Sequence, residues 1–282
     1  MRPPQPPVLI KLYRKMRFRK GFGVHSPFVY NLITKVIEEK SVYYAFEEIE
    51  NFRKQLLTDT EQSAITSRET QPAAYGAFLF RMVHFFKCQN IMEIGSSTGV
   101  MGLYLAMASR TQCNCWLLDE RHGLAHEVRR FASAHHLNKL QYIEGDYMKN
   151  ITRLGAELPE VDLLFFNHLP ETYTIDELIR RCQPLMSKRG ILILDNINRN
   201  KEMRKVWKSL KHNPQMRIMV DLYTLGIVFL NDRLPKQYYK AYFNSGKKHN
   251  LPTHRRKSLH FIRWRKKNAK NAFAHRSLRY GR

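Results

Sequence analysis

A short apolar run that ends in a glycine turn is the first segment with residue types suited to binding a ligand: residues 91–99 read IMEIGSSTG. The run indicates a buried strand. Gly95 would let the backbone turn tightly and approach a ligand, and Gly99 would let the next helix pack near the strand. A dinucleotide fingerprint needs glycines at 95, 97 and 100, but the chain has Ser97 and Val100, and no P-loop Gly-Lys-Ser/Thr follows. With both of these motifs excluded, the pattern that the segment does contain is an acid-x-Gly-x-x-x-Gly turn.

Three carboxylates stand at the predicted ends of successive strands. Glu93 lies two residues before Gly95, and Asp119 ends the second strand, where a carboxylate is placed to accept both hydroxyls of a ribose. Glu120 is an alternative to Asp119, but it lies one residue into the loop, so we favour Asp119. Asp146 follows the third strand and could accept a hydrogen bond from an adenine amino group.

Helices and short buried strands alternate from about residue 72, and these elements must position the acids. Apolar runs predict strands at 91–95, 115–119, 140–145, 162–167 and 191–196. Two further strands, RIMVDL and LGIVFLN, are separated only by Tyr223 and Thr224, so they must form an antiparallel hairpin. We therefore predict a Rossmann-like, doubly wound α/β fold: a mostly parallel seven-stranded sheet with an antiparallel C-terminal hairpin.

Two appendages are predicted outside this sheet. Residues 1–71 form a basic, helical N-terminal extension, whose polar end at 58–71 is a loop or a mobile lid. Residues 72–232 form the ligand-binding domain, and residues 233–282 form a basic C-terminal tail that is partly disordered.

Positive charge is concentrated at the two ends of the chain. The formal net charge is +24; residues 1–20 contain seven Lys and Arg and no acid, and residues 233–282 contain sixteen and again no acid. Aromatic residues are interleaved with the cations of the tail. Three interpretations of it stay open: a solubilising segment, an RNA-binding segment and one that attaches to an anionic membrane surface.

The apolar and cysteine patterns predict a cytoplasmic protein, with peripheral attachment to an anionic surface as an alternative. No apolar run approaches the roughly 20 residues that a transmembrane helix needs, and the N-terminus lacks a secretory signal. The cysteines at 88, 113, 115 and 182 lack the C-x-x-C spacing of zinc sites and are interpreted as reduced thiols.

The glycine turn and the strand-end acids together resemble class I S-adenosylmethionine-dependent methyltransferases over roughly residues 72–232. This resemblance implies S-adenosylmethionine as the cofactor, with Asp119 at its ribose and Asp146 on its adenine side. The residues implied around the amino-acid part of the cofactor are Glu93, Gly95, Ser97 and Gly99.

The stretches DLLFFNHLPETY and GILILDNIN resemble the catechol O-methyltransferase-like branch. That branch holds a divalent cation with an acid after the fourth strand and an Asp-Asn pair after the fifth, which implies catalytic roles for Asp195 and Asn196. Here Asn167 replaces the first acid, and Pro170 replaces the branch's lysine base. Because neutral Asn167 removes a negative charge, we predict no tight divalent metal site and group Asn167 with the cofactor-binding residues. His168 is the candidate base.

A second resemblance is to bacterial methyltransferase-like proteins that share a G-x-G-V-H-S-P-F-V-Y segment, here residues 21–30, and a YYAFEEIE-like stretch, here residues 43–50. It extends the similarity to roughly residues 15–232 but implies no substrate.

The segment from Asn167 to Pro170 matches the Asp/Asn-Pro-Pro-aromatic motif of nucleic-acid amino-methyltransferases poorly.

Three functional hypotheses follow. The first is an enzyme that methylates a small-molecule acceptor at oxygen. The second is an RNA methyltransferase whose basic tail binds phosphates. The third is a non-catalytic binding protein on a methyltransferase fold, which Asn167 and Pro170 motivate.

Overall fold

The computed structural model describes residues 7–58, 63–109, 113–168 and 172–244. These residues form an eight-stranded sheet in the order β3-β2-β1-β4-β5-β7-β6-β8. The strands are β1 (Asn90–Ile94), β2 (Asn114–Asp119), β3 (Leu140–Glu144), β4 (Val161–Phe166), β5 (Met186–Asp195), β6 (Ile218–Asp221), β7 (Leu225–Phe229) and β8 (Gln237–Lys240).

Helices cover both faces of this sheet and form the N-terminal extension. Those in the described part of the chain are α1 (Val8–Arg17), α2 (Pro27–Leu32), α3 (Tyr44–Thr58), α4 (Ser63–Glu69), α5 (Ala73–Phe86), α6 (Val100–Ala108), α7 (Ala125–Ala134), α8 (Tyr147–Glu157), α9 (Ile175–Cys182) and α10 (Lys201–Leu210). A π-helical turn at Ile33–Ile37 continues α2, and a 3₁₀ turn at Gln183–Leu185 follows α9.

The strand directions confirm the predicted fold class. Strands β1 to β5 pair in parallel, and β7 pairs antiparallel with both β5 and β6. The β6–β7 turn is tight: Tyr223 adopts a φ of 74°, and its N–H donates to Asp221 Oδ1 at 2.7 Å. The fold is Rossmann-like, mostly parallel, with antiparallel strands at its C-terminal end.

The sheet has one more strand than the predicted seven. Strand β8 pairs in parallel with β6 and lies inside the segment that we assigned to the tail. Its sequence is only QYYK, too short and too polar to be recognised as a strand. The Tyr238 hydroxyl anchors it by donating to Asp221 Oδ2 at 2.9 Å.

Two helices also differ from the sequence pattern. Helix α8 was not predicted; Asp146 caps it by accepting from the Lys149 N–H at 2.7 Å. The polar stretch at 58–71 contains the short helix α4 rather than only a loop, and residues 59–62 lie outside the described residues.

The N-terminal extension packs through α3 against α5 and α6. Helices α5 and α6 approach closely because Gly76 makes room for the Tyr104 ring; a Cβ at Gly76 would lie 2.2 Å from Tyr104 Cδ2. The Tyr104 hydroxyl donates to Glu50 Oε1 of α3 at 2.8 Å. Arg81 of α5 donates to the Val36 carbonyl at 2.8 Å and so fastens the π-helical turn. Helix α4, which follows α3, ends beside the carboxyl ends of the strands, where Glu69 contacts Ser97.

None of the helices in the described ranges is long and apolar enough to cross a membrane.

Candidate active site

The carboxyl ends of β2, β1, β4 and β5 are adjacent, because these strands are neighbours in the sheet. The polar residues that follow them therefore meet along one edge, as in other doubly wound folds. We call the turn at 95–99 together with Asp119 the turn side. We call Asn167, Asp195 and Asn196, which follow β4 and β5, the cavity side.

Positive φ angles at Gly95 (81°), Ser97 (52°) and Gly99 (72°) shape the turn. A Cβ at Gly95 would lie 1.7 Å from the His168 carbonyl oxygen. Gly95 therefore lacks a side chain so that the loop after β4 can pack against the turn. The sequence analysis had instead explained Gly95 by the close approach of a ligand. A Cβ at Gly99 would lie 2.4 Å from Val128 Cγ2, so this glycine makes room for α7.

Asp119 faces the turn and has all of its acceptor positions filled. Oδ2 accepts from the Ser97 N–H at 2.6 Å and from an Arg121 terminal nitrogen at 3.1 Å. Oδ1 accepts from Arg121 Nε at 2.9 Å and from the Arg121 backbone N–H at 3.1 Å. A carboxylate offers about four lone-pair positions, so nothing remains for a further donor. Glu120 instead accepts from the Thr172 hydroxyl at 2.9 Å, at an exposed position.

Glu69, at the end of α4, connects this cluster to the loop after β4. Its carboxylate accepts from Arg121 at 2.9 and 2.8 Å and from Ser97 Oγ at 2.6 Å. His168 Nε2 lies 3.7 Å from Glu69 Oε1. Burial acts to raise the pKa of Glu69, but the Ser97 hydrogen bond and the charges of His168 and Arg121 outweigh it, and the pKa is lowered. Glu69 is therefore an anion at neutral pH.

The next two residues, Thr70 and Gln71, extend this contact across the edge of the sheet. The Thr70 and Thr98 hydroxyls are 3.2 Å apart, and Gln71 Nε2 donates to Asp195 Oδ2 at 2.6 Å. Arg53 of α3 holds the Gln71 carbonyl at 2.5 Å. Residues 69–71 thus touch both sides of the site. The sequence analysis did not identify Glu69, Gln71 or Arg121, because single polar side chains in loops or at a helix end carry no periodic signal.

Glu93 is fully buried beneath α6 and contacts Asn167. Its Oε1 accepts from Asn167 Nδ2 at 2.8 Å, and a Cβ at Gly102 of α6 would lie 2.7 Å from its Oε2. Burial raises the pKa of Glu93 well above its ordinary value, which favours the neutral form of the group. Glu93 positions Asn167; a contact between Glu93 and a cofactor stays a prediction.

Asp146 lies beside the turn side, since the Gly145 N–H donates to the Asp119 carbonyl at 2.9 Å. Besides capping α8, it accepts from the Tyr173 hydroxyl at 2.5 Å, and this hydrogen bond is the main cause of its lowered pKa. Its predicted contact with adenine stays a prediction.

The cavity side contrasts with the turn side because it holds unsatisfied oxygens. Among the buried oxygens without a hydrogen-bond partner in the described ranges, three belong to the cavity side: Oδ1 of Asn167, Asp195 and Asn196. Asn196 adopts a φ of 58°, which marks a sharp turn after β5. Burial raises the pKa of Asp195 to about 8. All three residues line a cavity of about 890 Å³ between α9 and α10.

His168 joins the two sides. Its backbone N–H donates to the Gly95 carbonyl at 3.1 Å, and the residue also lines the cavity. Burial lowers the pKa of His168 below its ordinary 6.5, although the Glu69 carboxylate acts to raise it. The imidazole is therefore neutral at pH 7 and can accept a proton.

A family model described as O-methyltransferase matches residues 38–225, most of the described chain. The chain belongs to the O-methyltransferase family. No curated protein sequence matches it. The resemblance stated from the sequence is confirmed at the level of this family, which is one of methyl-transferring enzymes.

Solved structures with low sequence identity share the fold of this O-methyltransferase. The SAH-bound methyltransferase PaMTH1 of Podospora anserina is 16% identical, with a TM-score of 0.55 over 69% of this chain and 91% of that chain. An O-methyltransferase of Bacillus cereus in complex with SAH is 15% identical, with a TM-score of 0.53 over 71% and 96%. TomG of Streptomyces achromogenes, in complex with SAM, is 13% identical, with a TM-score of 0.53 over 72% and 94%.

The donor set of this O-methyltransferase does not fit the tightly held divalent cation of the catechol branch. Asn167, Asp195 and Asn196 supply one carboxylate and two neutral amides, and Gln71 already donates to that carboxylate. Magnesium and similar hard cations are usually held by one or two charged carboxylates, with water and substrate oxygens. In the absence of a cation, burial raises the pKa of Asp195 to about 8, so the site itself supplies little negative charge at neutral pH. We therefore derive no catalytic step through a metal.

Proposed function

We propose that this O-methyltransferase transfers the methyl group of S-adenosylmethionine to a hydroxyl of a small molecule bound on the cavity side, with His168 as the general base. The observation that carries the proposal is the position of His168, which contacts the Gly95 carbonyl of the turn and also lines the cavity. The SAM and SAH complexes of the similar structures support the choice of cofactor.

The cofactor would occupy the turn side, with its ribose hydroxyls on Asp119. Since Asp119 already accepts four hydrogen bonds, the ribose must replace the Arg121 side chain, which supplies two of them. The Ser97 N–H is part of the turn and stays in place to orient the carboxylate. Released Arg121 can keep its ion pair with Glu69.

Transfer from a sulfonium is an in-line displacement, for which alignment of the reactants supplies most of the acceleration. The acceptor oxygen forms a bond to the methyl carbon while the bond from that carbon to sulfur breaks. The hydroxyl proton moves to His168, and the resulting imidazolium is stabilised by Glu69, whose Oε1 lies 3.7 Å from Nε2. The products are a methyl ether and S-adenosylhomocysteine, and the proton then leaves to solvent.

The three unsatisfied oxygens of the cavity side would orient the acceptor. Oδ1 of Asn167 and of Asn196 can accept hydrogen bonds from hydroxyls of the bound molecule, and the protonated carboxyl of Asp195 can donate one from Oδ1. A buried acceptor without a partner is costly, so a molecule with neighbouring hydroxyls is favoured over an apolar one. We therefore infer a polyhydroxylated acceptor, such as a catechol.

The test is to incubate the full chain with methyl-labelled S-adenosylmethionine and with catechols, other hydroxylated small molecules and RNA in parallel. Label is expected in a hydroxylated small molecule, and His168→Gln is expected to abolish most of it. The matched control is His126→Gln, because His126 is an exposed histidine of α7, away from the site. Label in RNA alone would support the second hypothesis, and bound cofactor without transfer would support the third.

No described contact favours either alternative function. The RNA hypothesis depends on the basic tail, of which residues 245–282 lie outside the described residues, as does Pro170. The domain boundaries, the cytoplasmic location and any attachment to an anionic surface likewise stay predictions.

A further inference from the structure

Helix α1 carries an exposed apolar face that the methyl-transfer reaction does not use. At about 100° per residue, five apolar side chains fall within an arc of roughly 140° on one face of the helix. Their exposed fractions run from 52% to 81%: Val8 (81%), Leu9 (80%), Leu12 (52%), Tyr13 (59%) and Met16 (76%). We call these five side chains the α1 apolar face. Single exposed apolar residues are ordinary, but five on one helical face mark an interaction site.

The helix is attached to the body of the protein by the side opposite that face. Arg14, the buried residue of α1, lies about 170° from the centre of the apolar arc. Its guanidinium forms a salt bridge with Asp221 Oδ1 at 2.9 Å and donates to the Asp221 carbonyl at 2.9 Å. The Tyr242 N–H donates to the Phe18 carbonyl at 3.2 Å, just past the helix. The attachment therefore holds the apolar face outward.

Cations border the apolar face on both sides. Lys11 and Lys15 lie along one edge of the arc and Arg17 along the other, and all three are exposed. Residues 1–37 contain no acidic side chain at all. An apolar stripe with a cationic border complements a surface that is anionic at its rim and apolar just beneath, as a bilayer of anionic lipids is.

We propose that α1 is an interfacial helix that docks this O-methyltransferase on an anionic membrane surface, with the α1 apolar face inserted below the lipid headgroups. The charge pattern favours lipid over a second copy of the chain, because two such helices packed face to face would bring their cationic borders together. The same charge pattern disfavours the basic C-terminal tail as the partner of the α1 apolar face, because the tail and the border of the face are both cationic.

The test uses the full chain with an environment-sensitive fluorophore on a cysteine introduced at Met16. Labelling can be directed to that position because Cys88, Cys113, Cys115 and Cys182 are buried. Vesicles of phosphatidylcholine with phosphatidylglycerol are compared with phosphatidylcholine alone. The expected result is a blue shift and increased emission on the anionic vesicles, with no such change for the same label at Lys208, an exposed position on α10.

A matched pair of variants separates insertion from charge attraction. Leu9→Ser/Leu12→Ser/Met16→Ser should lower vesicle affinity at least about tenfold, since it removes apolar area that the bilayer would bury. Val42→Ser/Leu57→Ser changes exposed apolar residues elsewhere and should leave the affinity unchanged. Equal unfolding temperatures of the variants would show that the fold is intact.

Two outcomes would overturn the proposal. The first is binding to anionic vesicles with no response of the label at position 16, which would assign the binding to charge alone. The second is a dimer in sedimentation velocity that the triple serine variant dissociates, which would make a second copy the occupant of the face.

Discussion

The two sides of the site differ in how far the protein satisfies its own polar groups. On the turn side, Asp119 accepts four hydrogen bonds, and Glu69 and Arg121 complete a closed cluster. On the cavity side, three buried oxygens have no partner within the described residues. A ligand entering the turn side must therefore displace protein groups, whereas one entering the cavity side supplies missing partners. The difference predicts that removal of a competing protein group on the turn side will strengthen ligand binding, whereas the cavity side needs no such removal.

The largest effect is expected at His168, where the two sides meet. His168→Gln should lower kcat by about 100- to 10,000-fold, the usual range for loss of a general base. Affinity for S-adenosylhomocysteine should stay within about twofold, because the Gly95 contact is made by the backbone. Steady-state kinetics and calorimetry check this, with His126→Gln as the control. An unchanged kcat would remove His168 from the mechanism.

The pH profile provides a second measurement on the same residue. Burial lowers the pKa of His168 below 6.5, and only the neutral imidazole can accept the proton. Activity should therefore be present above that lowered pKa and fall as the pH drops through it. The His168→Gln variant should lose this acid limb. A limb that persists in the variant would point to another titrating group.

Removal of the Arg121 side chain should strengthen cofactor binding. Arg121→Ala frees two acceptor positions on Asp119, and affinity for S-adenosylhomocysteine should rise up to about tenfold, the value of one net hydrogen bond. Arg130→Ala, which removes an exposed arginine of α7, is the control for lost charge. Calorimetry measures both. If Arg121→Ala weakens cofactor binding and Arg130→Ala does not, then Arg121 itself holds the cofactor.

A smaller effect, on stability, is expected at Asp195. Burial raises its pKa to about 8 from an ordinary 3.8, so its contribution to stability is lost progressively as the pH rises from about 3.8 to about 8. Asp195→Asn should therefore raise the unfolding temperature by about 5 °C at pH 9, and by less at pH 5. Gln71 can still donate to the new amide oxygen. Asp176→Asn, near the protein surface, is the control. An equal rise of its unfolding temperature would refute the argument that the burial of Asp195 is the cause.

The smallest effect is expected from metal removal. Because Asn167, Asp195 and Asn196 supply a single carboxylate, a chelator should change kcat by less than about twofold. The assay compares activity with EDTA against activity with added Mg²⁺. A loss above tenfold that Mg²⁺ restores would contradict this reading of the donor set.

The sequence predicted the sheet well because buried parallel strands are continuous apolar runs. Strands β1 to β7 were predicted from such runs. The hairpin at Tyr223 was predicted from the small number of residues between two of them. Strand β8 was not, because it is only four residues long and polar. The side chains that close the turn side were also missed. Glu69, Gln71 and Arg121 acquire their roles only through tertiary contacts, which no local pattern encodes.

Calorimetric titration of S-adenosylhomocysteine into the full chain and into Asp119→Ala tests the central claim most directly, namely that the turn side is where the cofactor binds. One molecule should bind per chain, and the substitution should weaken binding about 100-fold, because a charged acceptor of two ribose hydroxyls is lost. Equal affinities for the two proteins, in chains with equal unfolding temperatures, would contradict the account.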